Sequence, residues 1–160
     1  MVLTAGVGGK FFDLGNEAQH LSFQPLAHID DDKEKQWAQE WLADFIRQEN
    51  ITVTPEHKKL LWDALGTVAS YKDKKFRRMT NFVNAVQSTE LKTALQPLTL
   101  SGAYGEIFDA DVDSLKLSSW QSFEMEKLMS TPAIVGPTLM YIFHRIEQSL
   151  TGAPTLIVLD

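Results

Sequence analysis

Ala153-Pro154-Thr155-Leu156-Ile157-Val158-Leu159-Asp160 is the stretch whose reading decides the fold. Leu156 to Leu159 form an unbroken apolar run with two β-branched residues at its centre, and no polar alternation marks a wet face. Such a run predicts a strand buried on both sides, as in a parallel sheet. It ends on a carboxylate. In a parallel α/β sheet ligands bind beyond the carboxyl ends of the strands, which makes Asp160 a candidate site residue. The plain alternative is a core strand that happens to end on Asp.

Upstream of this strand the chain is helical. Asp30-Asp31-Asp32 offers caps and favourable charge at a helix start. Trp37, Trp41 and Phe45 then recur every four residues beside Ala38, Leu42 and Ile46, giving one wide apolar face. Thr54-Pro55 is an N-cap followed by proline at the first helical position, and its helix carries Leu61, Leu65, Val68 and Ala69 on one side. Thr80 and Thr89 are expected to cap two shorter helices, bearing Phe82, Val83 and Val86, then Leu91 and Leu95, with Pro97 as the stop. Thr131-Pro132 opens a last helix with Leu139, Phe143, Ile146 and Leu150 expected on its buried side. Pro137 should bend or delay that helix, and Gly152 should end it.

Strand signals flank the helices. Lys10–Leu14 reads as a short strand stopped by Gly15-Asn16, with a brief apolar piece at Leu21–Phe23. Leu115–Leu117 and Trp120–Met125 read as strands after the loop Gly102–Gly105. The order strand, helices, strands, helix, strand gives an α/β chain with a few parallel strands. It divides into leading core strands (1–29), a helical insertion (30–98) and a return to the core (99–160).

Composition bounds the chemistry. A length of 160 residues with 44% hydrophobic content allows one real core. The net charge of −6 argues against non-specific nucleic-acid binding by the whole chain. There is no cysteine, which removes disulfides, thiolate zinc sites and thiol nucleophiles. No apolar run approaches the ~20 residues that span a bilayer, and no secretory signal opens the chain, so a soluble, cytoplasmic protein is expected.

Several tempting motifs have simpler readings. Gly6-Val7-Gly8-Gly9-Lys10 departs from the phosphate-loop pattern G-x-x-x-x-G-K-[ST], with Thr4 in place of the first glycine and Phe11 in place of the hydroxyl. A simple turn is expected. Asp109, Asp111 and Asp113 resemble the opening of a calcium loop, but Ser114 stands at the glycine position and Trp120 at the closing Glu, so solvated turn residues are expected. Lys72, Lys74, Lys75, Arg77 and Arg78 crowd one short span. Contact with nucleic-acid phosphates is one reading and a solvated inter-helix loop the other, since Phe76 alone offers a stacking face. His20, His28, His57 and His144 have no metal-ligand spacing. His144 is expected to be a hydrogen-bonded edge histidine, and Trp37, Trp41, Trp62 and Trp120 to be core.

A set of phrases in order carries a resemblance. These are Gly8–Gly15, Leu21–Leu26, Leu61–Leu65, Tyr104-Gly105 with Phe108-Asp109, Phe123–Met125, Tyr141–Glu147 and Pro154–Asp160. Together they resemble the TrbE-type ATPases of conjugative transfer and type IV secretion, including their CagE-like relatives, over essentially the whole chain. The resemblance implies part of a RecA-like P-loop NTPase core with a helical insertion between Walker A and Walker B. In that family hexameric or dimeric motors using ATP and Mg²⁺ energise pilus assembly and transfer at the inner membrane. By position Asp160 matches the Walker B aspartate that orients Mg²⁺. The catalytic Glu should follow it, and the Walker A Lys and Ser/Thr should precede Met1. The expectation is therefore a fragment that does not hydrolyse ATP alone. An alternative is a non-catalytic helical module that docks on the full-length motor or on secretion partners. Self-association through unpaired strand edges is also expected.

Overall fold

The computed structural model describes residues 4, 6–14 and 21–158. Helix starts are set by local chemistry. The Asp31 carboxylate accepts from the backbone N–H of Lys33 at 2.8 Å and of Glu34 at 3.2 Å, opening α1 (Asp32–Gln48). Asn50, at φ 59°, turns the chain after α1, in the left-handed region that Asn tolerates. Thr54 then forms a capping box with His57, opening α2 (Pro55–Ala69). Helices α1 and α2 are tied by Gln39 Nε2 donating to Lys58 O at 2.6 Å and by Lys58 Nζ on Glu40 at 2.6 Å.

Two shorter helices follow, α3 (Met79–Ala85) and α4 (Thr89–Leu95). Their caps correct the expectation. Ser88, not Thr89, accepts from Leu91 N–H, and Thr80 lies inside α3, where it bonds Asp109. Pro97 does not end the helical path: a 3₁₀ turn, Gln96–Leu98, continues it. After a tight turn come the single-turn α5 (Gly105–Phe108) and, beyond an extended segment, the short α6 (Glu126–Met129).

Helix α7 (Pro132–Ser149) starts at Pro132 and runs through Pro137 without delay. It buries Ile134, Thr138, Tyr141 and Ile142 rather than the expected face, and Phe143 and Leu150 stay exposed. The buried stripe is turned by one residue. Apolar residues surround this helix, so periodicity alone offers two nearly equal faces. The contact that selects one is Trp41, whose Nε1–H donates to Pro137 O at 3.0 Å. Gly152 adopts φ 86°, but three residues beyond the helix, so it does not cap it.

Strand β1 (Lys10–Asp13) pairs in parallel with β2 (Gln121–Glu124), Lys10 facing Gln121 and Asp13 facing Glu124. Phe12 stacks on Phe123 with ring centroids 5.2 Å apart. The chain is thus mixed and mostly helical, with a two-stranded parallel sheet among the described residues. Leu115–Leu117 is extended but not a strand, and Trp120 is 50% exposed instead of core. The expected closing strand is also corrected. Residues 154–158 pair with no strand, and Leu156, Ile157 and Val158 are 85%, 51% and 75% exposed. An apolar run becomes a buried strand only beside another strand and under covering layers, and among the described residues nothing supplies either.

One hydrophobic core runs from Leu14 and Phe23 through the helices to Phe108, Leu128 and Ile142. At its centre Trp41, Phe23, Phe108 and Tyr141 form a chain of tilted aromatic contacts.

Candidate functional site

A phosphate cradle needs open backbone amides and a free Lys, and the glycine turn before β1 offers neither. Gly8 takes φ 70°, a true turn glycine. Gly9 packs so tightly on Trp120 that an added Cβ would lie 2.6 Å from the indole and from Trp120 O. Lys10 Nζ donates to Lys116 O at 2.8 Å. The glycine at position 9 therefore serves close packing of β1 on the residue preceding β2, and the Lys is turned to a main-chain carbonyl. These residues do not fit a triphosphate.

The basic span divides into a buried and an exposed part. Arg77 is buried; its Nε donates to Tyr71 O at 3.1 Å and its Nη1 to Ala27 O at 3.0 Å and Asp30 at 2.5 Å. Arg78 lies 3.5 Å from the buried Asp109. Lys72, Lys74 and Lys75 are exposed, with Lys74 Nζ 3.0 Å from His28 Nδ1 and Lys75 Nζ 3.0 Å from Asp73. Of the five cations singled out by sequence, three remain at the surface.

Two carboxylates expected to be solvated are internal nodes instead. Asp109 is 2% exposed and accepts from Thr80 N–H, the Thr80 hydroxyl and Leu100 N–H. Asp113 accepts from Gln24 N–H at 3.3 Å, Leu115 N–H at 2.7 Å, the Tyr141 hydroxyl and Arg145 Nη1 at 3.2 Å. Burial, the dominant influence, pushes the Asp113 carboxyl above the ordinary range, against the pull of those amides and of Arg145. Spacing could not reveal these roles, because their partners lie far away in sequence. His144 behaves as expected: its Nε2 is 3.0 Å from Glu34 and its ring stacks on Trp37 at 4.0 Å.

Both nodes hold α7 and α3 to the segments around them, and neither opens on a cavity that a substrate could enter. Among the described residues no group of three His, Asp or Glu side chains could hold a metal ion. Asp160, singled out from sequence, lies outside the described residues. No helix among the described residues is long and apolar enough to cross a membrane.

Comparison with known proteins gives the context that this geometry lacks. No family model matches the chain. It is 37% identical to the conjugal transfer protein TrbE of Rhizobium radiobacter over 99% of its own length and 20% of that protein's. It is 35% identical to a probable conjugal transfer protein TrbE of Sinorhizobium fredii, over 99% of the chain and 24% of the relative. A type IV secretion system protein virB4 of Bartonella henselae matches at 27% identity over 96% of the chain and 20% of the relative. The chain thus spans between a fifth and a quarter of the length of the curated relatives it matches.

Proposed function

From the premise that the chain belongs to the TrbE and virB4 family of conjugal transfer and type IV secretion proteins, we propose that it is part of a motor ATPase that energises DNA or protein transfer. Its share is the stretch between Walker A and Walker B of a RecA-like core, with 30–98 as the helical insertion. Asp160 is the proposed Mg²⁺-associated aspartate, and ATP and Mg²⁺ are the proposed cofactors of the whole motor. In this proposal the motor works on the cytoplasmic side, at the periphery of the inner membrane, among other secretion components.

The observation that carries the proposal is similarity to TrbE along 99% of the chain. The parallel pairing of β1 with β2, across a connection made largely of helices, supports it, since parallel strands demand a crossover. When bound, the nucleotide would supply the energy of phosphoryl transfer. This chain's described residues do not cradle it; they pack the helices and bring α7 to the stretch that ends at Asp160. The 160 residues contain no G-x-x-x-x-G-K-[ST] sequence, so this chain alone is expected to hydrolyse no ATP.

Calorimetric titration with Mg-ATP, paired with a phosphate-release assay, tests this. Flat titrations and background release are the expected result. Saturable binding, or release that disappears in Asp160→Asn, would overturn it.

The exposure of Leu156, Ile157 and Val158 favours a second reading, a module that docks on a full-length motor through this apolar run. Light scattering of the chain mixed with a full-length TrbE-type protein should then show a complex that Ile157→Lys abolishes. Unchanged scattering in the mixture would dismiss it.

A further inference from the structure

We propose that the loop 71–76 is a binding surface for single-stranded nucleic acid, with Lys72, Lys74 and Lys75 on phosphates and Phe76 and Tyr71 against bases. The loop is held from beneath. Its carbonyls at Tyr71, Lys74 and Phe76 accept from Arg77 Nε, Gln24 Nε2 and Asn81 Nδ2, and Gln24 also reaches Arg77 O at 3.5 Å. Three different side chains thus fix a segment whose own side chains face outward. Preorganisation of this kind lowers the ordering cost of binding.

Phe76 is 48% exposed and Tyr71 is exposed beside it, interleaved with the three exposed lysines. Every base has a π-face that can stack on such rings. An acidic peptide would use the lysines and leave the rings idle. Lys74 Nζ sits 3.0 Å from His28 Nδ1, two groups that are both cationic when protonated. Burial, then Lys74 and Arg145, hold the His28 imidazole below its ordinary value, against the pull of Glu34 and Asp30. A phosphate between His28 and Lys74 relieves that repulsion and returns the proton to His28. Asp73 competes for Lys75 at 3.0 Å, but both partners are exposed, so exchanging the pair for a phosphate costs little. With the chain at −6 overall, attraction is confined to this patch. The surface is independent of the nucleotide proposal, and a flat Mg-ATP titration leaves it untouched.

The test is fluorescence anisotropy of a labelled oligothymidylate of about twelve nucleotides against the 160-residue chain, repeated across a salt series. Saturable binding is expected, with a log–log salt slope of about −2 for three phosphates on a single strand. Replacing Lys72, Lys74 and Lys75 together by Gln should weaken binding about ten-fold or more at low salt and flatten the slope. Phe76→Ala should weaken it roughly five-fold or more while keeping the slope, because stacking releases no counterions. All four side chains are exposed, so the variants keep the fold. The imidazole resonance of His28 should titrate at higher pH in the complex.

Binding unchanged in the triple variant would overturn the proposal. Polyglutamate that displaces the oligonucleotide as well as unlabelled oligothymidylate does would make this an acidic-peptide surface and overturn it too. Inorganic phosphate that competes equally per phosphate would reduce it to an anion site, which also overturns it.

Discussion

Thr80 and Asp109 meet at the amino end of α3. The Thr80 backbone N–H donates to Asp109 Oδ1 at 3.0 Å and the Thr80 hydroxyl to Oδ2. Leu100 N–H reaches Oδ2 at 2.7 Å, and Arg78 Nε lies 3.5 Å from Oδ1. One buried carboxylate therefore satisfies two backbone donors from separate segments and faces a cation. An unpaired buried donor costs far more than a good hydrogen bond gains.

Asp109→Ala is accordingly expected to destabilise the chain by about 3–5 kcal/mol, since it strands both amides and leaves Arg78 without its partner. Asp109→Asn, which keeps one acceptor, should cost about 1–3 kcal/mol. Urea denaturation followed by tryptophan fluorescence gives both values.

Gly105 lies against the backbone of Thr99 and Leu100, where an added Cβ would fall inside the Thr99 carbonyl. Because the obstacle is main chain and not a flexible side-chain tip, Gly105→Ala should cost roughly 1–3 kcal/mol or more by overpacking. Thermal unfolding should show a lowered midpoint.

Asp113 gives a pH signature. Burial raises its carboxyl above the ordinary value, so the folded chain holds that proton more tightly than the unfolded chain. Its contribution falls as pH rises from about 4 through the raised value, because the native state binds more protons there. Asp113→Asn should flatten this part of the stability profile, measured as urea midpoints in a buffer series.

His28 slopes the other way. Its imidazole is held low, chiefly by burial and then by Lys74 and Arg145, so the unfolded chain takes the proton first. Stability linked to His28 is complete above about 6.5 and is lost as pH falls toward the lowered value. In His28→Gln the acid-side loss should shrink, and the same midpoint series reads it.

Much of the fold was legible because its causes are local. Asp31 and Thr54 cap where a short polar side chain before an apolar stripe must cap, and Trp41, Leu42, Leu61 and Leu65 fall on faces that a 3.6-residue period defines. The parallel disposition of Lys10–Asp13 and Gln121–Glu124 also agrees with an α/β order of elements. What escaped depends on distant partners. Asp109 and Asp113 read as solvated turn residues because nothing near them in sequence hints at Thr80, Leu100 or Tyr141. On α7, a near-continuous apolar surface hid which stripe Trp41 would select. Of the candidate site residues, the basic span was visible as a cluster, but the inward turn of Arg77 was not, since five cations in a row look alike until one is buried.

The register of β1 on β2 has a kinetic side. Lys10 must find Gln121 across roughly 110 residues of chain, and the entropy of closing so long a loop precedes any reward from the pairing. The helices form from contacts close in sequence, so they can assemble first and shorten the effective distance between the two strands. The sheet is then the last element to close on folding and the first to open, a slow latch on a fast-forming helical body.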